Sequence, residues 1–333
     1  MKDKTTTRLH RLLGVGLSIL MMLLMLLPAR TAAQATSGTG WSLVGKILYI
    51  QGNDATSLQD NPETLLQVEM VVIMNDVTGI GSNTFKGCVN LTTIEWGNNT
   101  QTIGSNAFEG CTGLEQALLP ATLKQLGQYA FKGCTKLDLA QLNEGLESIG
   151  ASAFDGCVEL KILMLPASVK SLKSDNVTYI EAFRGSSIKS LAVALDNPYF
   201  AEDQSVLFNK DKTTLLYYPE NRVVYEGRYT VPEGVTDILD QAFFSNLTVE
   251  EVILPAHVVT LGSNIFSSAR KLKKATIQGD VSSMAGMFSD CPLLETVAIE
   301  SKTPPDDFAN GTFSNCPALT SILVDGRSVE AYK

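Results

Sequence analysis

A nine-residue phrase appears four times without a gap: Ile80-Gly-Ser-Asn-Thr-Phe85-Lys-Gly-Cys88, Ile103-Gly-Ser-Asn-Ala-Phe108-Glu-Gly-Cys111, Leu126-Gly-Gln-Tyr-Ala-Phe131-Lys-Gly-Cys134 and Ile149-Gly-Ala-Ser-Ala-Phe154-Asp-Gly-Cys157. The interval is 23 residues each time. A unit this short cannot enclose a core, so each copy must cover the apolar side of its neighbour, and the chain must stack. Phe183, Phe243, Phe266, Phe288 and Phe313 mark looser copies, each with an apolar residue five or six positions on, which predicts nine rungs.

After each phenylalanine comes a strand-like pattern in which positions one, four and six are apolar: Leu91 to Trp96, Leu160 to Leu165, Val249 to Leu254 and Leu319 to Val324. That pattern at a period between 20 and 29 residues is the leucine-rich-repeat signature. The expected fold is a β-dominated leucine-rich-repeat solenoid with short helical turns. A second short strand is expected before each Ile-Gly, as in Ala121 to Leu126, after a proline suited to a strand edge. From Phe183 to Phe243 the phase is 60 residues, so one expanded unit replaces ordinary repeats.

The motif Ile-Gly-x-x-Ala-Phe-x-Gly-Cys, continued by the strand pattern and a proline, resembles the BspA-type leucine-rich repeats of bacterial surface proteins. The resemblance extends over residues 41–333. Within it, Trp41 to Ile50 looks like the N-terminal cap hairpin, and Val324 to Lys333 looks like the closing segment. The organisation expected is a cap over 36–79, repeats over 80–182, an expanded repeat with an aromatic hairpin over 183–242, repeats over 243–324 and an end segment over 325–333. The resemblance implies a surface-presented interaction protein.

Residues 1–35 read as a signal peptide: Lys2, Lys4, Arg8 and Arg11 precede an uncharged run from Leu12 to Leu27, and Ala33-Gln34-Ala35 has the small-x-small form of a cleavage site. The run is shorter than the roughly 20 residues of a spanning helix. Contact with a membrane is therefore expected only through this segment or an associated anchor, and the location is secreted or cell-surface, with the periplasm as the alternative. Without 1–35 the chain keeps 21 basic and 34 acidic residues, a net charge of −13. Such a surface repels phosphate backbones and argues against nucleic acid as a partner.

All six cysteines, Cys88, Cys111, Cys134, Cys157, Cys291 and Cys316, lie three residues after a repeat phenylalanine, where other copies hold Ser186, Asn246 and Ala269. They read as free, buried thiols filling a small-residue slot. No Cys-x₂-Cys pair suggests a metal, and no cofactor is expected. His257 matches the register of polar turn residues in other copies, and no Gly-x-Ser-x-Gly elbow accompanies it. Glu250-Glu251 and Asp306-Asp307 are adjacent rather than facing carboxylates. Gly52-Asn53-Asp54 and Asn209 to Lys212 lack calcium-loop spacing and read as turns. The chain is expected not to be an enzyme.

Two surfaces stand out as candidates. In the expanded unit, Ser205 to Phe208 and Thr213 to Tyr218 flank a polar turn and predict a hairpin, and Tyr199, Tyr217, Tyr218 and Tyr225 could build an aromatic platform for a glycan or peptide. The competing reading packs these rings into a wider rung, although the opposite directions of Tyr217 and Tyr218 would leave one of them accessible. On the strands, Leu118, Leu139, Ile162 and Met164 take outward slots on successive rungs, with Ile253 and Leu323 later, and the first four could merge into one apolar patch. The expected partner is an extracellular or surface protein, bound in adhesion to a host or another microbe. The alternative is an envelope scaffold or glycan-binding accessory protein.

Overall fold

The computed structural model describes residues 36–324 except 175, 176, 302, 303, 306, 309 and 310. The expected signal peptide and end segment lie outside the described residues. The first strands, Thr36–Gly38, Trp41–Val44 and Ile47–Ile50, form an antiparallel meander. Ile47–Ile50 then pairs in parallel with Met70–Ile73, and that strand with Thr93–Glu95. The pairings Ile47↔Met70 and Met70↔Thr93 are offset by the repeat period, so the cap hairpin sets the register from which the coil grows.

Each regular turn has three sides. On the main face, strands such as Gln116–Leu118, Leu139–Gln141 and Ile162–Leu165 alternate buried and exposed residues. On the second side, the two-residue strands Gly79–Ile80, Thr102–Ile103, Gln125–Leu126 and Ser148–Ile149 pair in parallel. On the third, backbone amides bond to the next turn, with Phe85 N donating to Ala107 O at 2.8 Å, Phe108 N to Ala130 O at 2.7 Å and Phe131 N to Ala153 O at 2.8 Å. The Asn-Ala-Phe-x-Gly-Cys segment forms turns rather than helix, and the one α-helical piece among the described residues is Pro62–Leu65.

The coil makes about 12 turns rather than nine. The phenylalanine motif counts only the turns that carry it. Nine main-face strands follow such a phenylalanine, whereas Ile47–Ile50, Met70–Ile73 and Arg228–Thr230 do not.

Inside, the repeat phenylalanines form a column. Phe85, Phe108, Phe131 and Phe154 are fully buried, with successive ring centroids 5.0, 5.1 and 5.8 Å apart. The cysteines do more than fill space. Cys111 Sγ donates to Phe85 O at 3.2 Å, Cys134 Sγ to Phe108 O at 3.2 Å and Cys157 Sγ to Phe131 O at 3.1 Å, so each thiol ties its turn to the one before. Cys88 is buried as well, and all six thiols are free. Burial pushes the Cys291 thiol up to about 12, which keeps it protonated and a hydrogen-bond donor.

The expanded unit is a three-stranded antiparallel meander, Phe200–Asp203, Val206–Asn209 and Thr214–Tyr217. The first of these strands adds to the expected hairpin. The meander divides the core in two: Leu207 and Tyr217 pack into the N-terminal cluster, whereas Val206, Phe208, Leu215 and Tyr218 pack into the C-terminal one. Tyrosines also continue the aromatic column across it, with Phe183 to Tyr217 at 5.5 Å and Tyr218 to Phe243 at 4.7 Å. Beyond it, five parallel strands from Arg228–Thr230 to Ser321–Val324 complete the main face.

Candidate interaction face

On the main face of the N-terminal block, side-chain parity separates core from surface. Ala117, Leu119, Ala140, Leu163 and Leu165 point inward and are buried. Their alternates Leu118, Leu139, Ile162 and Met164 are 47%, 43%, 66% and 60% exposed. Register places Leu139 beside Gln116 and Gln141 beside Leu118, while Ile162 and Met164 lie beside the small Ser190 and Ala192. Four apolar side chains thus occupy three successive turns, with glutamines interleaved. Leu323 is 56% exposed at the far end of the C-terminal sheet. Ile253 does not join the patch: it is half-buried, flanked by Thr230 and Thr276, in the sheet beyond the meander.

The four tyrosines do not form a common platform. Tyr199 and Tyr225 are exposed, but Tyr217 and Tyr218 are buried. The two side chains do point to opposite sides of their strand, as expected, yet a core lies on each side, so neither is accessible. Burial raises the affinity of both hydroxyls for their protons. Tyr218 accepts a 2.7 Å hydrogen bond from the buried Arg222, whose guanidinium lies over the Tyr218 and Tyr229 rings.

The candidate chemical residues take part in ion pairs and hydrogen bonds within or between turns. His257 Nε2 lies 3.1 Å from Pro232 O. Glu250 pairs with Lys273, and Glu251 with Arg228 and Lys274. Asn53 Oδ1 accepts from Thr78 N and Gly79 N, and Asn209 Oδ1 accepts from Thr214 N. Among the described residues no group of three or more His, Cys, Asp or Glu side chains could hold a metal ion. None of the described helices is long and apolar enough to cross a membrane.

The family model for the BspA type leucine rich repeat region matches six copies in this sequence, over residues 63–189 and 227–330. The chain belongs to the BspA-type leucine-rich repeat family. The match breaks off over residues 190–226, the stretch that contains the meander. A search of curated proteins finds no match. Among solved structures, this BspA-type chain is similar to a leucine-rich repeat protein from Eubacterium ventriosum, with a TM-score of 0.65 and 21% identity over 85% of this chain and 82% of that one. It is also similar to the pneumococcal vaccine antigen PcpA, with a TM-score of 0.62 and 20% identity over 90% of each chain. A leucine rich cell surface protein from Faecalibacterium prausnitzii gives a TM-score of 0.57 and 19% identity over 90% of this chain and 98% of that one. At these identities the likeness is one of fold.

One side chain with a distinct role in this BspA-type array escaped the sequence reading. In regular turns a glycine amide donates to a backbone carbonyl of the next turn, as in Gly110 to Lys132 at 2.7 Å, Gly133 to Asp155 at 2.6 Å and Gly156 to Gly185 at 2.9 Å. At Gly185 the acceptor is instead the Glu220 carboxylate, at 3.2 Å. The inserted meander diverts the backbone, and a side chain takes the carbonyl's place. Burial pushes the Glu220 carboxyl up to about 7. Pro219-Glu220-Asn221 carried no spacing signal that could have marked it.

Proposed function

We propose that this chain is an exported, non-enzymatic interaction protein that presents its main sheet face to other proteins at the cell surface, in adhesion to host or microbial surfaces. The observation that carries the reading is the patch of Leu118, Leu139, Ile162 and Met164 on neighbouring turns. Contiguous exposed apolar groups on a folded protein commonly mark interaction sites, and stacked repeats offer an extended surface for them. The names of two structural neighbours, a vaccine antigen and a cell surface protein, support a surface setting. The test is capture of partners from an array of extracellular-matrix and microbial surface proteins by the purified chain. The Leu139→Ser/Ile162→Ser double variant is expected to lose at least about tenfold in affinity for any partner so found, given the apolar area it removes. Unchanged capture by that variant would contradict the assignment of this face.

The exposed rings of Tyr199 and Tyr225 favour a second reading, a glycan-binding accessory protein of the envelope. A saccharide array separates the two. Binding lost in Tyr225→Ala but kept in the Leu139→Ser/Ile162→Ser variant would support the glycan reading.

A further inference from the structure

The charges around the apolar patch are distributed unequally. On several other turns an acidic side chain meets lysine one repeat away, as in Lys46 with Glu69, Lys86 with Glu109, Lys132 with Asp155, and Lys124 and Lys170 with Glu147. At the patch this pairing stops. Glu95 heads the column that continues through Leu118, Gln141 and Met164. Glu115 and Asp138 sit at the entry of two successive strands, in the column beside Gln116, Leu139 and Ile162. All three carboxylates are exposed and have no ion-pair partner among the described residues. Beyond Asp138 the column continues through two lysines, Lys161, whose ammonium donates to the Val158 carbonyl, and the exposed Lys189.

The patch is therefore apolar along two columns, acidic at its head and on one flank beside Leu118 and Leu139, and bordered by lysine only where that flank passes Ile162. We infer that this face takes an amphipathic segment of a partner protein in which an apolar stripe is bordered by lysine or arginine. The inference rests on the reading of the main face given above and adds the charge of its partner. Apolar contact over Leu118, Leu139, Ile162 and Met164 would supply affinity. The free carboxylates would select the partner and its orientation, because opposite charges across an interface steer encounter and like charges oppose it. The same carboxylates disfavour anionic lipid and nucleic acid, whose phosphates they repel.

The probe is a synthetic amphipathic leucine/lysine peptide, compared with a scrambled peptide of the same composition and with a leucine/glutamate peptide of the same pattern. Binding to the full chain is measured by fluorescence anisotropy at low and high salt. The patterned leucine/lysine peptide is expected to bind best, and more weakly at high salt. Glu115→Gln/Asp138→Asn is expected to weaken it roughly three- to tenfold at low salt, with the difference shrinking at high salt as screening shortens the reach of the charges. Leu139→Ser/Ile162→Ser is expected to weaken it at both salts. Equal binding of the patterned and scrambled peptides, equal binding of the glutamate peptide, or no effect of the neutralised carboxylates would overturn the inference. If only the serine variant loses binding, the charge inference falls and the binding face stands; if the serine variant also binds normally, both fall.

Discussion

Gly127 and Gly133 stand six positions apart and are required for different reasons. A Cβ on Gly127 would lie 2.5 Å from Gly104 C and 2.6 Å from Ser105 N, because neighbouring turns approach backbone to backbone there. Gly133 has space around it, the nearest atom lying 3.8 Å away, but its φ of +70° is one that side chains disfavour. Gly127→Ala should therefore cost about 3 kcal/mol through overpacking of rigid backbone. Gly133→Ala should cost only about 1 kcal/mol of conformational strain. Urea unfolding of the two variants measures the difference, and equal costs would contradict the close-approach account. The repeating sequence makes both glycines conspicuous, yet spacing cannot distinguish a contact from a dihedral angle. The outward positions of Leu118, Leu139, Ile162 and Met164 were legible, since strand parity alone fixes them once the buried leucines are assigned. The cysteine-to-carbonyl bonds were not legible, because the Phe85, Phe108 and Phe131 carbonyls that accept them belong to the preceding turn.

The meander is the element whose consequences reach furthest beyond local pattern. Its polar Asn-Lys-Asp-Lys turn announces a hairpin, but local alternation does not reveal that both faces are covered. The position of Tyr217 and Tyr218 in two different cores is a property of what stacks on either side. The same holds for Glu220, whose carboxylate joins the Gly185 turn to the segment after the meander, with Arg184, Arg270, Asp155 and the Tyr217 hydroxyl as the ionisable groups around it. Folding raises this carboxyl from its ordinary 4.5 to about 7, so between those values the folded chain holds a proton that the unfolded chain releases. Its contribution to stability is fullest below about pH 4.5 and is lost as pH rises to about 7. Glu220→Gln, which keeps a carbonyl acceptor without a charge, should flatten that dependence and raise stability at pH 8 by about 2 kcal/mol. Urea midpoints at pH 5 and pH 8 for the two proteins check this. A variant less stable than the parent at pH 8 would show that the ionised carboxylate is favourable at the joint.

At the scale of the whole molecule, period determines architecture. Pairings such as Met70↔Thr93, Gln116↔Leu139 and Glu251↔Lys274 all span one repeat, so the interval visible in the sequence is also the interval of the hydrogen-bonded ladder. Turns without the phenylalanine motif were missed because they are built from other side chains, as where Tyr218 precedes the strand Arg228–Thr230. The stacked array divides the main-face strands outside the meander into a side that holds the coil together and a side turned to solvent. Urea unfolding of Phe131→Ala beside Leu139→Ser/Ile162→Ser tests that division most directly. Phe131 lies between Phe108 and Phe154 and is fully buried, so its loss should cost about 3 to 5 kcal/mol. The outward pair should change stability by no more than about 1 kcal/mol in total. A double variant that unfolds as readily as Phe131→Ala would place Leu139 and Ile162 in the core and contradict the account.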